Sequence, residues 1–446
     1  MLTEIPLSYQ RDSRALFERI RPLGNGVFLD SGSPTSERGR YDILTAAPEQ
    51  VWPLAANSTS SESFFAELEQ AQQTHALDEH PKHPFTGGIM GQFSYDLGKT
   101  LETLPCTSIK DINYPITWAG LYLWAVIVDH HSQQSTLLIH PALAEAKKHA
   151  IEQLLTKGDA TNDSEADNRF SLTRSFNKDT SEADYKKAIA RIHDYIYAGD
   201  CYQVNFTQRF SSEYQGDPWA AYCALRKASP TPFSAFMEND FGHVLSLSPE
   251  RLLSVTSKKV TTQPIKGTEP RFSDPAADQA AAQSLLASEK NRAENLMIVD
   301  LLRNDLSKVC ALNSVKVPKL FELQSYQNVH HLVSTIEGQL PDNTSNIELL
   351  KACFPGGSIT GAPKIRAMEI IDELESHLRS IYCGSVGYLS FDGKMDMNIT
   401  IRTLLCEQNK VYCWAGGGIV SDSTADSEYQ ESLNKVANLL RCLEAL

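Results

Sequence analysis

The chain has 446 residues, of which 41% are apolar, and its formal net charge is −14. This length suits two or three ordinary domains or one large α/β core, and the apolar fraction suffices for a sizeable buried interior. The acidic balance, without any basic block, argues against nucleic acid and membrane surfaces as partners. No apolar run is long enough for a transmembrane helix.

Nine cysteines are scattered along the chain without a C-x-x-C pair. This pattern favours reduced thiols over a disulfide framework or a zinc site. The N-terminal stretch MLTEIPLSYQRDSR has an early acidic residue and no apolar segment, so we expect no signal peptide. A cytoplasmic protein is therefore predicted.

The N-terminal third of the chain predicts sheet structure. Residues 87–98 carry glycine-punctuated turns, and GLYLWAVIV at 120–128 has the length of a single buried strand. Residues 156–182 are polar and acidic, which indicates a linker or surface excursion. We therefore divide the chain into an N-terminal region (1–155), this linker and a C-terminal catalytic region (183–446).

The C-terminal region mixes helices and strands. Residues 183–200 place apolar side chains at helical spacing as far as Gly199, and residues 201–210 alternate as a strand. Residues 284–306 predict one long helix. Its predicted core-facing residues are Leu285, Ala293, Met297 and Leu301.

Residues 385–406 predict two long strands joined at a tight turn, Asp392-Gly393. The second strand places Arg402 on its polar face, where a guanidinium can pair with a carboxylate. A solvent-facing role for that face is equally compatible with the pattern. Long hairpin strands with flanking helices indicate an α+β fold.

The segment 414–436 combines a glycine run with a helix. Three successive glycines after a strand expose backbone N–H groups to an anion, and Ser427 with Gln430 predicts a capping box for the helix that follows. Glu428, Glu431 and Lys435 share one helix face. The simpler interpretation of that face is an exposed, ion-paired surface.

Two further helices carry candidate polar groups. Glu294 lies on an otherwise apolar helix, and two such glutamates with water would suit Mg²⁺. Thr360 and Gly361 precede Pro363, which is favourable at a first helical position, and their hydroxyl and amide groups could meet an anion. A capped helix with no further role explains the second pattern equally well.

Lys266 follows Ile265 at the predicted end of a strand. On the surface this lysine would be unremarkable, whereas in a cavity it would be a candidate nucleophile. Together these features predict a pocket with one metal ion, several carboxylate-binding elements and a lysine.

Seven blocks of the sequence resemble the chorismate-utilising enzymes: PIKGT, KNRAENLMIVDLLRND, HHLVS, CFPGGSITGAPK, GSVGYLSF, ITIRT and AGGGIVSDSTADSEYQESLNK. They run from about residue 185 to the C-terminus, with weaker similarity at 29–44 and 87–98. The resemblance implies a large two-subdomain mixed α/β sandwich of the anthranilate synthase component I type. It also implies Mg²⁺ as cofactor and chorismate as substrate.

The residues at two positions determine which reaction a member of this family catalyses. Members that add water to chorismate carry a lysine base where this chain has Gln203, and enzymes that form anthranilate typically read PIAGT where this chain has Lys266. The resemblance therefore implies amination at C4, giving 4-amino-4-deoxychorismate for 4-aminobenzoate and folate synthesis. Anthranilate formation is the alternative.

The family pattern also assigns roles to individual residues. It implies that Lys266 adds at C2 of chorismate, that Glu250 is the general acid, and that His331 lies near the reacting ring. Glu294 and Glu431 match metal ligands, with Glu428 assisting through water. The residues that match substrate-binding groups are Thr360, Gly361, Tyr388, Arg402, Gly416, Gly417 and Lys435.

Two partners follow from the resemblance. Aminating members use a glutaminase subunit, and this chain lacks obvious Cys–His glutaminase blocks, so ammonia would come from a partner or from solution. Relatives also hold tryptophan in a pocket, which Ser31, Arg40, Tyr41, Pro232 and Phe233 match loosely. Asp30 departs from the usual L-E-S pattern there, which argues against feedback inhibition.

Two interpretations from other classes remain. A phosphate- or nucleotide-binding module could use the glycine run, but the chain lacks a G-x-x-x-x-G-K-[ST] loop. A catalytically inactive scaffold is disfavoured because Glu250, Lys266, Glu294 and Glu431 are all retained.

Overall fold

The computed structural model describes residues 1–32, 39–55, 57–58, 60–102, 104–156, 169–326 and 329–446. Helices α1–α11 are, in chain order, Arg14–Ile20, Glu62–Thr74, Gly98–Leu101, Glu145–Thr156, Glu182–Ala198, Pro218–Ala228, Pro275–Ala287, Glu289–Ser307, Asn346–Cys353, Lys364–Leu374 and Ala425–Glu444. Strands β1–β23 are Thr3–Leu7, Val27–Asp30, Tyr41–Thr45, Gln50–Leu54, Gly88–Phe93, Thr117–Tyr122, Trp124–Asp129, Gln134–Ile139, Ser171–Leu172, Asn177–Lys178, Gln203–Gln215, Phe233–Asn239, Gly242–Ser248, Arg251–Thr256, Lys259–Gln263, Ile265–Pro270, Lys316–Ser325, Val329–Gln339, Gly361–Ala362, Ser385–Ser390, Met395–Asn398, Thr403–Glu407 and Lys410–Ile419.

The strands form two large sheets. The first has 13 strands in the order β1-β8-β7-β3-β2-β12-β13-β22-β23-β11-β10, with β19 and β9 also on β11. The second has 10 strands in the order β16-β18-β15-β14-β21-β20-β5-β6-β4, with β17 on β18. With about 34% helix and 33% strand, this architecture confirms the predicted α+β class.

Both sheets take strands from both ends of the chain. In the first sheet β2 pairs with β12, and in the second β5 pairs with β20. Residues 157–168 of the predicted linker lie outside the described residues, whereas β9 and β10, which follow them, pair with β11. The division at 155 and 183 remains a prediction about sequence regions, since both regions contribute to each sheet.

The chain passes between the sheets at two points where the sequence predicted uninterrupted strands. The strand predicted at 120–128 breaks at Leu123, so that β6 lies in the second sheet and β7 in the first. The strand predicted after the Asp392-Gly393 turn likewise breaks at 399–402 between β21 and β22. Apolar periodicity is the same whichever sheet buries a strand, so it gives no sign of these crossings.

Local sequence features explain several element boundaries. The side chain of Ser181 accepts a hydrogen bond from the backbone N–H of Asp184 and begins α5, and Gly199 ends that helix in the left-handed region at φ 84°. The predicted helix and strand at 183–210 are thus confirmed. The single helix predicted at 284–306 is wrong, because Ser288 ends α7 and caps α8.

The buried face of α8 also differs from the prediction. Leu285, on α7, is buried as expected, but Ala293 is exposed and Met297 is half-buried. The buried face instead carries Asn295 and Ile298, because α8 packs against β18 and α9. Asn295 is tolerated there because its Oδ1 accepts a hydrogen bond from the hydroxyl of Ser334 at 2.5 Å.

One apolar core cluster includes residues from both sheets and from the helices that cover them. All nine cysteines are free thiols. Across the described ranges, every helix is too short or too polar to span a membrane. Helices α7 and α8 cover β16 and β18, while α10 and α11 pack on β11 and β23. These elements carry four of the predicted site residues: Lys266 on β16, His331 on β18, Glu294 on α8 and Glu431 on α11.

Candidate active site

Lys266 lies on β16 beneath α7 and α8 and is half-buried. Its Nζ donates a 3.3 Å hydrogen bond to the carbonyl oxygen of Ser358, and it forms no ion pair within the described part of the chain. Burial lowers the pKa of Lys266, against the opposing charges of Glu294 and Glu250. The free-amine form that a nucleophile requires is therefore favoured.

Glu250 is a candidate proton donor close to Lys266. It is buried in the turn before β14, where its Oε1 accepts a 3.5 Å hydrogen bond from the backbone N–H of Ile265. Burial raises the pKa of Glu250, although the charge of Lys266 opposes this effect. The acid and the amine thus lie beside each other with pKa values shifted toward their uncharged forms.

His331 is buried on β18, and its Nδ1 lies 2.9 Å from the hydroxyl of Thr268. Burial, followed by the nearby charge of Arg402, lowers the pKa of His331 to about 3. The imidazole is therefore neutral at physiological pH. A neutral imidazole at this place can exchange hydrogen bonds with a substrate without adding charge.

Arg402 occupies the crossing between β21 and β22, with φ at 50°. Its guanidinium is half-buried and makes no hydrogen bond or ion pair with any residue that the structure describes. Desolvation lowers the pKa of Arg402. A partly desolvated guanidinium without a protein partner is a strong binding group for a carboxylate, which it would hold through two parallel hydrogen bonds.

Three carboxylates lie on α8 and α11. Lys290 Nζ is 3.9 Å from Glu294 and 3.8 Å from Glu428, so one ammonium lies near both. Glu431 forms a 2.6 Å ion pair with Lys435, which also donates a 2.9 Å hydrogen bond to the carbonyl of Gly416. In this structure lysine side chains partly neutralise a strongly acidic cluster.

The pKa values of these carboxylates follow from burial and from their neighbours. Burial raises the pKa of Glu294 and of Glu428. Partial burial also acts on Glu431, but the ammonium of Lys435 outweighs it and lowers the pKa of Glu431.

The three carboxylates supply oxygen donors of the kind that a hard divalent ion takes, although their oxygens do not all lie within 4.8 Å of one another in this structure. A Cβ atom on Gly417 would lie 3.1 Å from Glu428 and 3.5 Å from Glu431, so the missing side chain leaves open space beside these carboxylates. Hard oxygen ligands of this kind suit Mg²⁺, and the charge of the ion would relieve their mutual repulsion.

The glycine run and the helix cap differ from the predictions. Residues 416–418 lie within β23 rather than after it, and Gly416 faces β11 so closely that a Cβ would lie 2.0 Å from the carbonyl of Phe206. The cap of α11 is Thr424, whose hydroxyl accepts from the N–H of Ser427. The predicted capping box at Ser427 is therefore wrong by three residues.

Thr360 and Gly361 shape the loop beside Lys266. The hydroxyl of Thr360 donates to the carbonyls of Gly356 and Gly357 at 3.1 and 3.2 Å, and Gly361 pairs with Val204 on β11. Pro363 precedes α10 as its cap rather than occupying the first helical position. In this structure the two residues hold the loop whose carbonyl contacts Lys266.

Tyr388 is placed away from the Lys266 cluster. It lines a cavity of about 390 Å³ together with the five residues predicted for a tryptophan pocket: Ser31, Arg40, Tyr41, Pro232 and Phe233. Ile265 lines the same cavity, whereas the next residue, Lys266, contacts Ser358. Because neighbouring residues of a strand point to opposite faces, β16 separates the two sites.

Lys290 and Ser358 contact predicted site residues although the sequence analysis did not assign them to the site, and the structure adds the surroundings of Gln203. Gln203 is buried, and neither its Nε2 nor its Oε1 has a hydrogen-bond partner among the described residues. A Cβ on Gly418 would lie 2.6 Å from that Nε2, so the free amide lies against the glycine strand. The SITGAPK block contained Ser358, but no local pattern indicated that its carbonyl would meet Lys266.

Comparisons with known proteins identify the family of this chain. The family described as chorismate binding enzyme matches residues 25–441. Aminodeoxychorismate synthase component 1 of Salmonella typhimurium is 44% identical over 456 residues, covering 99% of this chain and 98% of that protein. The Escherichia coli protein of the same name is 42% identical over 455 residues, with the same two coverages.

A solved structure supports the same assignment of the fold. Anthranilate synthase component I from Streptococcus pneumoniae superposes with a TM-score of 0.80 at 31% identity, covering 91% of this chain and 93% of that one. This likeness confirms the predicted fold type. The chain therefore belongs to the chorismate binding enzyme family.

Proposed function

We propose that the chain is the chorismate-aminating component of an aminodeoxychorismate synthase, which replaces the C4 hydroxyl of chorismate by an amine. The observation that carries this proposal is Lys266, a half-buried amine without an ion-pair partner in the described chain, beside the buried acid Glu250. Two proteins of that name, which are 44% and 42% identical to this chain over 99% of its length, support the proposal. Anthranilate formation is less well supported, because a lysine bound at C2 would block ammonia there.

The proposed reaction has two displacements. The free amine of Lys266 adds at C2 of chorismate, both ring double bonds shift by one position, and the C4 hydroxyl leaves as water with a proton from Glu250. Ammonia then adds at C4, both double bonds shift back, and the amine of Lys266 leaves from C2. The carboxylate of Glu250 accepts the proton that the entering ammonia loses.

Substrate binding is proposed to rest on charge complementarity. Arg402 would hold one carboxylate of chorismate, and neutral His331 would lie beside the ring. Glu294 and Glu431, with Glu428 nearby, would hold Mg²⁺. When bound, the ion would supply positive charge for the other carboxylate and orient the ring.

The proposed partners are a glutaminase component and a small aromatic ligand. The glutaminase would deliver ammonia, since the matched relatives are each named as a component 1. The cavity of about 390 Å³, to which we now assign Tyr388, has a size that suits tryptophan. We place the protein in the cytoplasm, consistent with its nine free thiols.

Product identification tests the proposal. Purified protein would be incubated with chorismate, Mg²⁺ and ammonium at mildly alkaline pH, and the products separated and identified by mass. A product that a separate lyase converts to 4-aminobenzoate supports the proposal. Anthranilate would replace it by the alternative, and unused chorismate even with the glutaminase present would overturn it.

A further inference from the structure

Glu4, His80 and His83 form a compact cluster far along the sequence from the proposed active site. Glu4 lies on β1, and the two histidines lie in the loop between α2 and β5. Oε1 of Glu4 is 3.3 Å from Nε2 of His80, and Oε2 is 3.0 Å from Nε2 of His83. One ligand atom from each residue lies within 4.8 Å of the other two.

The histidine loop is held in place by the hairpin turn at the end of β20. The buried ammonium of Lys394 donates to the backbone carbonyls of both His80 and His83, the second at 2.9 Å. Asp392 accepts a 3.1 Å hydrogen bond from the backbone N–H of His80. These bonds to Lys394 and Asp392 fix the loop backbone and use no imidazole nitrogen. The two imidazole rings are stacked, with centroids 4.7 Å apart.

We propose that Glu4, His80 and His83 bind Zn²⁺, with water as the fourth ligand. Two imidazoles and one carboxylate are an established zinc donor set, with bonds of about 2.0–2.2 Å. Ligands of a tetrahedral ion at that radius lie roughly 3.3 Å apart. The imidazoles here lie 3.3 Å from Oε1 and 3.0 Å from Oε2, so the carboxylate would turn to present one oxygen to the ion. Glu4 is 45% exposed, so solvent reaches the open position.

Zinc binding requires one proton to move. The Nδ1 of His80 accepts long hydrogen bonds from the backbone N–H groups of Lys82 and His83, at 3.3 and 3.2 Å, so its Nε2 carries the proton that faces Glu4. The ion would take the lone pair of Nε2, the proton would transfer to Nδ1, and these two bonds would open. The cysteine pattern predicted no zinc site, and this donor set contains no cysteine.

The proposed ion would fasten the outermost strand of the first sheet to a loop at the rim of the cavity. β1 pairs with β8 only at the sheet edge. The loop continues into Pro84, a cavity-lining residue, and the backbone carbonyl of Lys82 accepts a 3.2 Å hydrogen bond from the hydroxyl of Tyr41. Bound Zn²⁺ would therefore restrict the motion of the loop that leads to Pro84, although the ion itself would lie outside the cavity.

Metal titration of the chelator-treated full-length protein tests the proposal. Zn²⁺ affinity would be measured by competition with a chromophoric chelator, with Mg²⁺ in excess to occupy the carboxylate cluster. The wild type and a control double variant at two exposed histidines, His131→Gln with His149→Gln, should bind one equivalent. The double variant His80→Gln with His83→Gln should lose more than the roughly 10–100-fold that outer-shell changes cost.

Two further readouts separate the proposed site from cysteine sites and from misfolding. Bound Co²⁺ should show tetrahedral visible absorption without a thiolate charge-transfer band, and Glu4→Gln should weaken that absorption. Zn²⁺ should raise the melting temperature of the wild type and not that of the double variant. Equal zinc affinity in wild type and double variant, or a thiolate band as the dominant signal, would overturn the proposal.

Discussion

Lys266 and Glu250 show how one environment prepares two opposite roles. Removal from water disfavours charge on both side chains, so it lowers the pKa of the amine and raises that of the acid. Their mutual attraction opposes both shifts without reversing either. Each group is thereby shifted toward the form that the proposed first step uses before any substrate is bound.

Replacing Lys266 by alanine should remove the covalent step. With ammonia withheld, intact-protein mass measurement should detect a chorismate adduct on the wild type and none on Lys266→Ala. The rate of amination should fall by roughly 10²-fold, which corresponds to a barrier higher by about 2.7 kcal/mol. The remaining turnover would come from direct attack of ammonia on chorismate. Lys259→Ala, an exposed change in the same sheet, serves as the control. An adduct that persists in Lys266→Ala would assign the nucleophile elsewhere.

The pH dependence of adduct formation follows from the shift of Lys266. Because burial lowers its pKa from 10.5, the free amine accumulates as pH rises and does so below the ordinary range of lysine. Adduct formation, followed by mass measurement after timed quenching, should therefore rise with pH below 10.5 and fall again where Glu250 loses the proton that the leaving hydroxyl needs. The absence of a rising limb below 10.5 would contradict this assignment.

Replacing Glu431 by glutamine should weaken Mg²⁺ binding. The change removes one of three carboxylates and leaves Lys435 without its 2.6 Å partner, so local positive charge increases. Calorimetric titration should show an affinity at least about tenfold lower, equal to roughly 1.4 kcal/mol. Glu444→Gln, an exposed change at the end of the same helix, should leave the affinity unchanged. Equal affinities would remove Glu431 from the metal site.

Strand β16 carries Lys266 on one side and lines the cavity with Ile265 on the other, and Gly267 sets the distance of this strand from α7 and α8. Gly267 has φ 81°, and a Cβ there would lie 2.8 Å from Leu285 and 2.9 Å from Asn291. The strand can therefore approach both helices only without a side chain at this position.

Gly267→Ala should destabilise the protein more than Gly199→Ala. The backbone of both glycines lies in the left-handed region, with φ of 81° and 84°, but a Cβ on Gly199 would meet no atom within 4 Å. An alanine in the left-handed region lowers the free energy of unfolding by roughly 1–2 kcal/mol through backbone strain alone. Any larger loss of stability in Gly267→Ala than in Gly199→Ala therefore measures the clash with α7 and α8. Thermal denaturation compares the variants, and chorismate turnover should fall only in Gly267→Ala. Equal losses of stability would show that the helices move aside freely.

At the scale of the whole molecule, the two sheets join the N-terminal and C-terminal regions. Without residues 1–156, β12 would lose its neighbour β2, and β20 would lose β5. Each sheet would then end at one of these strands, and that strand would have an unpaired, unprotected edge. The proposed catalytic residues Lys266, Glu250 and His331 all lie in the C-terminal region, yet the sheets that position them are shared.

A fragment of residues 169–446 should therefore fail to fold on its own. Expressed alone, it should be insoluble or lack a cooperative thermal transition, whereas co-expression with residues 1–156 should restore both solubility and chorismate turnover. The full chain under the same conditions is the control. A soluble fragment that unfolds cooperatively would support the two-region division predicted from sequence.

Element types were predictable where the signal is local. Gly199 ends α5 as a left-handed residue, and Asp392-Gly393 joins β20 to β21 with Gly393 at φ 83°, both as predicted. The crossing at Leu123 was missed, because a buried strand looks the same in either sheet. The break at Ser288 was missed because helical periodicity continues across it.

The sequence by itself determined the fold type and the inventory of reactive groups, since motif blocks and local patterns depend only on neighbours in the chain. Tertiary structure alone decided which groups meet. It left Arg402 without a partner in the described chain, placed Tyr388 in the wall of the cavity of about 390 Å³, and brought Glu4 to His80 across 76 residues. Sheet register and crossings set these contacts, and they arise from pairing between distant strands that no short pattern encodes.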